Sequence, residues 1–244
     1  MINLRLLHVG VHLVSGLLQC ALLFPFLSMG RRNALVQRWS RGLLRVFRIR
    51  VVVSGQGMAA GAVVANHVSW IDVFVLNAIG TCRFVAKSEV RGWPAIGWLS
   101  ARAGTIYVAR GARAGLMSAN ATIAAHLAAG ERLAFFPEGT SGPQGSLLPF
   151  HANLFQGVIA AGAVVQPVAI RYVGADGTLS QHAEYIGDMS LWESIVSLVA
   201  HGPFVADVAL LAPIASTGLD RRALAAQART AIGASLETTH HQRC

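Results

Sequence analysis

From Leu6 to Met29 the chain carries no formal charge and is rich in Leu and Val. At ~20 residues per bilayer crossing, this run is long enough to span a membrane or to bury as a bent hairpin in one leaflet. Gly10, Gly16 and Pro25 supply places for the bend. The pattern then turns amphipathic. Arg38, Arg41, Arg45 and Arg48 recur at helical spacing, with Val36, Trp39, Leu43 and Phe47 on the other side. Such a helix beside an apolar segment is expected to lie on an anionic lipid surface, where each arginine is worth about 1 kcal/mol. From about Ile49 the period changes again. Short β-branched runs predict strands at Arg50–Ser54, Ala62–Ala65, Arg83–Ala86, Thr105–Val108, Arg132–Phe136, Val164–Tyr172 and Phe204–Ala212. Helical patterns fall at Ile71–Ile79, Ala112–Ala129 and Leu219–Leu236, with a shorter one at Phe155–Ala161.

Several of these strands are apolar throughout, as strands covered on both faces must be. Alternation of strand and helix then predicts an α/β fold: a mixed, centrally parallel sheet flanked by helices, preceded by an N-terminal membrane-embedded helical segment. The organisation expected is residues 1–48 as membrane anchor with basic amphipathic helix, and residues 49–244 as one α/β domain.

Composition sharpens the lipid reading. Hydrophobic residues make up 54% of the 244 and charged residues 13%, too apolar for an ordinary soluble protein. The formal charge of +9 fits either nucleic acid or anionic lipid. The apolar balance favours lipid, and no aromatic-basic module for nucleic acid is evident. Arginines crowd the region after the apolar run, and only Arg5 precedes it. The positive-inside rule therefore puts the bulk of the chain on the cytoplasmic side of an inner membrane if the run spans. A cleaved signal would end in an Ala-x-Ala-like site, which the run lacks. Cys20, Cys82 and Cys244 are too widely spaced for a disulfide framework or a metal knuckle.

Two boxes carry candidate chemistry. The first, Asn66-His67-Val68-Ser69-Trp70-Ile71-Asp72, follows the strand Ala62–Ala65, and ligands bind at such strand ends. Residues five apart on one helix point ~140° away from each other. His67 and Asp72 therefore meet only if His67 sits in the strand-to-helix turn and Asp72 on the helix it opens, with Ser69 as its cap. Asp72 would fix the tautomer, leaving the outer ring nitrogen of His67 as general base. The alternative is a core histidine satisfied by a carboxylate. Metal ligation lacks a third residue at fitting spacing. The second box, Phe136-Pro137-Glu138-Gly139-Thr140, ends another strand. Glu138 is a candidate for binding an acceptor hydroxyl, and Gly139 or a neighbour for offering an amide to an oxyanion. Between the boxes Lys87 and Arg110 close two further strands, and cations there suit a phosphate or another anionic head group.

Taken together and in this order, the boxes resemble the glycerolipid acyltransferases of the 1-acylglycerol-3-phosphate acyltransferase type. The resemblance covers about residues 50 to 215. His67 and Asp72 fall on its first motif, Gly104 to Arg110 on the second, Phe136 to Thr140 on the third, and Gln166-Pro167-Val168-Ala169 on the fourth. It implies transfer of a fatty acyl group from an acyl-carrier-protein or coenzyme A thioester to a lysolipid hydroxyl, with no cofactor or metal. It also implies binding roles for Arg110, Lys87, Glu138, Gly139 and Thr140. Lysophosphatidate is the acceptor expected first, giving phosphatidate. One position departs: phosphatidate-forming members commonly carry an arginine right after Glu-Gly-Thr, and here Ser141 stands there. The longer loop that follows, ending Leu147-Leu148-Pro149-Phe150, resembles the branch that includes lyso-ornithine-lipid acyltransferases, which keeps that acceptor open.

Overall fold

The computed structural model of the chain describes residues 2–93, 96–109 and 113–241. The uncharged run forms helix α1 (Ile2–Leu22) and a 3-10 turn, Phe24–Phe26, whose Pro25 stops the helix. Helix α2 (Met29–Val46) then folds back along α1, so the run and the basic helix form one helical hairpin. Small residues let the two helices touch. A Cβ on Gly16 would lie 2.7 Å from the Trp39 ring, and one on Gly42 2.6 Å from the His12 ring. His12 and Trp39 stack at 4.8 Å, and the indole N–H donates to the His12 carbonyl at 3.0 Å. Ile2–Phe26, with mean hydropathy 1.8, is the one segment among the described residues long and apolar enough to cross a membrane. Its outward face is a helical stripe of exposed Leu4, Leu7, Val11, Val14, Leu18 and Leu22.

The remaining elements are β1 (Ile49–Gly55), β2 (Ala62–Ala65), α3 (Asp72–Ile79), β3 (Arg83–Lys87), α4 (Ile96–Arg102), β4 (Ile106–Val108), α5 (Arg113–Ala128) and β5 (Leu133–Phe135). They continue with α6 (Phe155–Ala160), β6 (Val164–Val173), α7 (Leu191–His201), β7 (Phe204–Leu210), β8 (Ile214–Ala215) and α8 (Arg221–His241). One eight-stranded sheet runs β1-β7-β6-β2-β5-β3-β4, with β8 pairing the start of β6. Strands β2 to β6 are parallel; β7 and β8 oppose β6, and β1 runs with β7. The sheet is thus mixed and parallel at its centre, as the alternation predicts.

The all-apolar strands are explained by two cores. Val63 and Ala65 of β2 point into one, with Leu43 and Phe47 after them from the hairpin, Leu76 of α3 and Leu198 of α7. Ala62 and Val64 point into the other, with Ile123 of α5, Phe155 of α6 and Leu224 of α8. Each fully buried Leu or Phe side chain contributes about 1.5–3 kcal/mol. The hairpin is part of the first core, since Val9, Leu43, Leu44 and Phe47 are all buried in it.

Three local expectations change. The apolar side of α2 packs on protein rather than lipid, because Leu43 and Phe47 are sealed. Two arginines of the basic stripe bond inside the molecule: Arg41 donates to the last-turn carbonyl of Ala78 at 2.9 Å and Arg48 to the Gly202 carbonyl at 3.1 Å. Helices α4 and α7 are absent from the sequence-based reading. For α7 a signal was present, since Ser190 and Glu193 form a capping box, Glu193 N–H donating to the Ser190 hydroxyl at 3.2 Å.

Candidate active site

Strand β2 ends at Ala65, and the chain leaves the sheet there because Asn66 replaces backbone pairing with side-chain pairing. Its amide group donates to the Ile170 carbonyl at 3.0 Å and accepts from the Ile170 N–H at 2.8 Å, both buried. His67 is then released into the turn before α3, whose first residue is Asp72. The imidazole Nδ1 and Asp72 Oδ2 lie 2.8 Å apart. The His67 side chain is 20% exposed and that of Asp72 fully buried, so the ring reaches the surface while its partner is sealed.

Asp72 has further donors. The N–H groups of Val68 and Ser69 give to Oδ2 at 2.8 and 2.9 Å, and the Tyr172 hydroxyl gives to Oδ1 at 2.6 Å. With three groups already donating to it, the carboxylate is placed as an acceptor. Nδ1 of His67 must then carry the proton toward it, and Nε2 presents its lone pair outward. The ring plane is set from below by Phe136, stacked at 4.0 Å and 10°. Ser69 does not act as the cap the sequence suggests. Its hydroxyl is buried without a hydrogen-bond partner, and Asp72 itself satisfies the free amides of the turn.

The second box holds the first by its backbone. Glu138, buried on the loop after β5, accepts the His67 N–H at 2.7 Å on Oε1 and the Leu148 N–H at 2.9 Å on Oε2. The Gly142 N–H in turn donates to the His67 carbonyl at 2.8 Å. Burial, the larger influence, pushes the Glu138 carboxyl above the ordinary glutamate value, and the two amides draw it back down. Gly139 has φ +69 and its N–H closes a turn on the Phe136 carbonyl at 3.0 Å. A Cβ there would be strained by that φ and would sit 3.3 Å from the His151 ring. Thr140 is exposed beside it.

Ser141 donates to the Tyr185 carbonyl, while the Tyr185 N–H reaches the Val68 carbonyl at 3.0 Å. Gln144 pins the rest of this loop to β6, accepting from the Tyr172 N–H at 2.6 Å and donating to the Ser180 carbonyl at 2.8 Å.

Lys87 closes β3, two strands from β2 across β5, at the carboxyl edge that also carries His67 and Glu138; it is half-buried. Arg110 lies outside the described residues. Among the described residues no group of three or more His, Cys, Asp or Glu is placed to hold a metal ion. Sequence reasoning missed Tyr172, Asn66 and Gln144. Tyr172 sits a hundred residues from Asp72, and nothing in the local pattern distinguishes it from a core strand residue.

Known proteins resemble this chain in sequence and in fold. The family described as Acyltransferase matches residues 51–171. A lyso-ornithine lipid O-acyltransferase of Pseudomonas aeruginosa is 39% identical over 84% of this chain and 79% of its own length. One from Brucella abortus is 31% identical over 93% of this chain and 91% of its own. A 1-acyl-sn-glycerol-3-phosphate acyltransferase of Neisseria meningitidis is 36% identical over 63% and 62%. The crystal structure of the 1-acyl-sn-glycerophosphate (LPA) acyltransferase PlsC from Thermotoga maritima superposes with TM-score 0.71, covering 99% of this chain and 98% of that one at 19% identity, which shows a shared fold. The chain belongs to this acyltransferase family. It is an acyltransferase of lysolipids.

Proposed function

We propose that His67 and Asp72 catalyse transfer of a fatty acyl group from an acyl thioester to the free hydroxyl of lyso-ornithine lipid. The observation that carries the mechanism is the outward-facing Nε2 of an imidazole whose Nδ1 is tied to a buried carboxylate. Nε2 takes the proton of the lysolipid hydroxyl as that oxygen attacks the thioester carbonyl. The same proton passes to the sulfur as the carbon–sulfur bond breaks, leaving an ester and a free thiol. The thioester, on acyl-carrier protein or coenzyme A, supplies the driving force. Because the Gly139 amide is engaged in its turn, the oxyanion donor is assigned to a neighbouring amide of the loop, that of Thr140. Glu138 holds the histidine turn against this loop, and Lys87 with Arg110 attracts the anionic part of the acceptor.

The acceptor assignment reverses the order expected from sequence. It is supported by Ser141, where an arginine would serve a phosphate, and by the relatives matched over most of both chains, which carry the lyso-ornithine name. Lysophosphatidate is the second reading, favoured by the Neisseria relative. We infer an inner-membrane location with the catalytic edge cytoplasmic; the apolar α1 and the arginines that follow it support this reading. The test is incubation of purified protein with an acyl thioester and a panel of lysolipids, with products read by mass spectrometry. Acylation of lyso-ornithine lipid is expected, and acylation of lysophosphatidate alone would replace the acceptor. His67→Ala is expected to lower turnover by about 10²–10⁴ while folding and membrane binding persist. Undiminished turnover would sink the mechanism.

A further inference from the structure

A cleft of about 910 Å³ lies away from the catalytic edge. Its walls include Met58 before β2, Gly80 before β3 and Arg132 before β5, which are the amino ends of the strands whose carboxyl ends carry the His67 turn, Lys87 and Glu138. It opens between the second half of α2 and the edge strand β1. The arginines Arg41, Arg45, Arg48 and Arg132 line it, and among the described residues no Asp or Glu does. The acid nearest along the neighbouring strand is Asp207, level with Val52. In a strand, alternate residues face opposite sides. Val51 and Val53 line the cleft, so Asp207 faces the other side of the sheet, where Arg171 pairs with it at 2.7 Å.

Three of the arginines are partly used by the fold. Arg41 bonds Ala78, Arg48 bonds Gly202, and Arg132 bonds the Ala59 and Met58 carbonyls at 2.9 Å. Each of those contacts is to a neutral carbonyl, so none cancels a charge. Arg45 makes no hydrogen bond or ion pair among the described residues. An uncompensated guanidinium cluster of this kind favours a tetrahedral oxyanion, which can take two N–H groups from each fork. Leu44, Val51, Val53, Ile79 and Leu210 add an apolar wall. The same helix α2 that carries the arginines packs against α1, so the cleft lies one helix away from the exposed apolar stripe.

We propose that this cleft is a second binding site, separate from the acyl-transfer site, for a phosphate ester: the arginines hold the phosphate and the apolar wall accepts whatever carbon chain it bears. The ligand is a phospholipid of the surrounding membrane or a soluble phosphate ester. The test titrates the full chain, in a nonionic detergent, with dihexanoyl phosphatidate and in parallel with inorganic phosphate. The variant is R45Q, whose side chain makes no bond in the fold. Both probes are expected to bind the natural protein, and the variant to weaken each at least ~10-fold while acyl transfer and melting temperature stay unchanged. R45K should retain binding of the charge but lose part of the affinity. Tighter binding of the lipid than of phosphate assigns the site to a headgroup; equal binding assigns it to a soluble ester. H67A should bind as the natural protein does. Binding that survives undiminished in R45Q, or no binding by the natural protein, overturns the proposal.

Discussion

Asp72 is the residue on which most of the site converges, and what surrounds it predicts how the site fails. Tyr172→Phe keeps the ring and removes one donor, leaving Asp72 Oδ1 buried and unpaired. A loss of stability of about 1–3 kcal/mol is expected, together with a fall in kcat because Asp72 is less firmly aimed at the histidine; thermal melting and initial rates check both. Glu138 predicts a pH effect. Its folded value is raised above that of the unfolded chain, so the folded protein holds the proton more tightly. Its contribution to stability is therefore complete below the ordinary glutamate range and is lost as pH rises through the raised value. The Tm difference between the natural protein and Glu138→Gln should shrink across that window and stay level above it. A difference that grows with pH would contradict this.

At the scale of elements, the helical hairpin depends on two glycines facing two rings. Gly16→Leu drives a side chain into Trp39, which is also held by its bond to the His12 carbonyl. Overpacking of this kind costs about 1–3 kcal/mol, and α1 is expected to separate from α2, seen as faster proteolysis within residues 23–28. The spacing of the two boxes also belongs here. The order β2-β5 in the sheet makes the loops after these strands neighbours, although some seventy residues separate them. Glu138 and Gly142 then grip the two backbone groups of His67. The pairing of the boxes was legible as a resemblance, but the grip was not, because it runs through main-chain atoms that any residue possesses.

Over the whole molecule, the apolar anchor and the catalytic sheet share one core. Val9 is buried with Leu43 and Phe47, and Arg5 reaches the Val199 carbonyl at 3.5 Å. Deleting residues 1–28 is therefore expected to lower the melting temperature of what remains, besides releasing it from membranes. A truncated protein as stable as the natural one would show that the hairpin only tethers. The exposed stripe of α1 and the exposed Phe26 at the hairpin tip give the molecule a continuous apolar surface.

Periodicity sufficed for the strands, for the alternation that makes a centrally parallel sheet, and for the apolar run with arginines behind it. These features repeat locally, and short-range sterics and burial decide them. The two boxes were readable because the chemistry needs particular side chains at fixed offsets from strand ends. Only the tertiary structure could show that the basic stripe of α2 is partly spent on carbonyls of α3 and the loop before β7, that its apolar side packs on protein, and that Tyr172 donates to Asp72. Each is a contact between segments far apart in the chain. Which side chain meets which is set by strand order and helix packing, and a pattern read a few residues at a time carries no record of either.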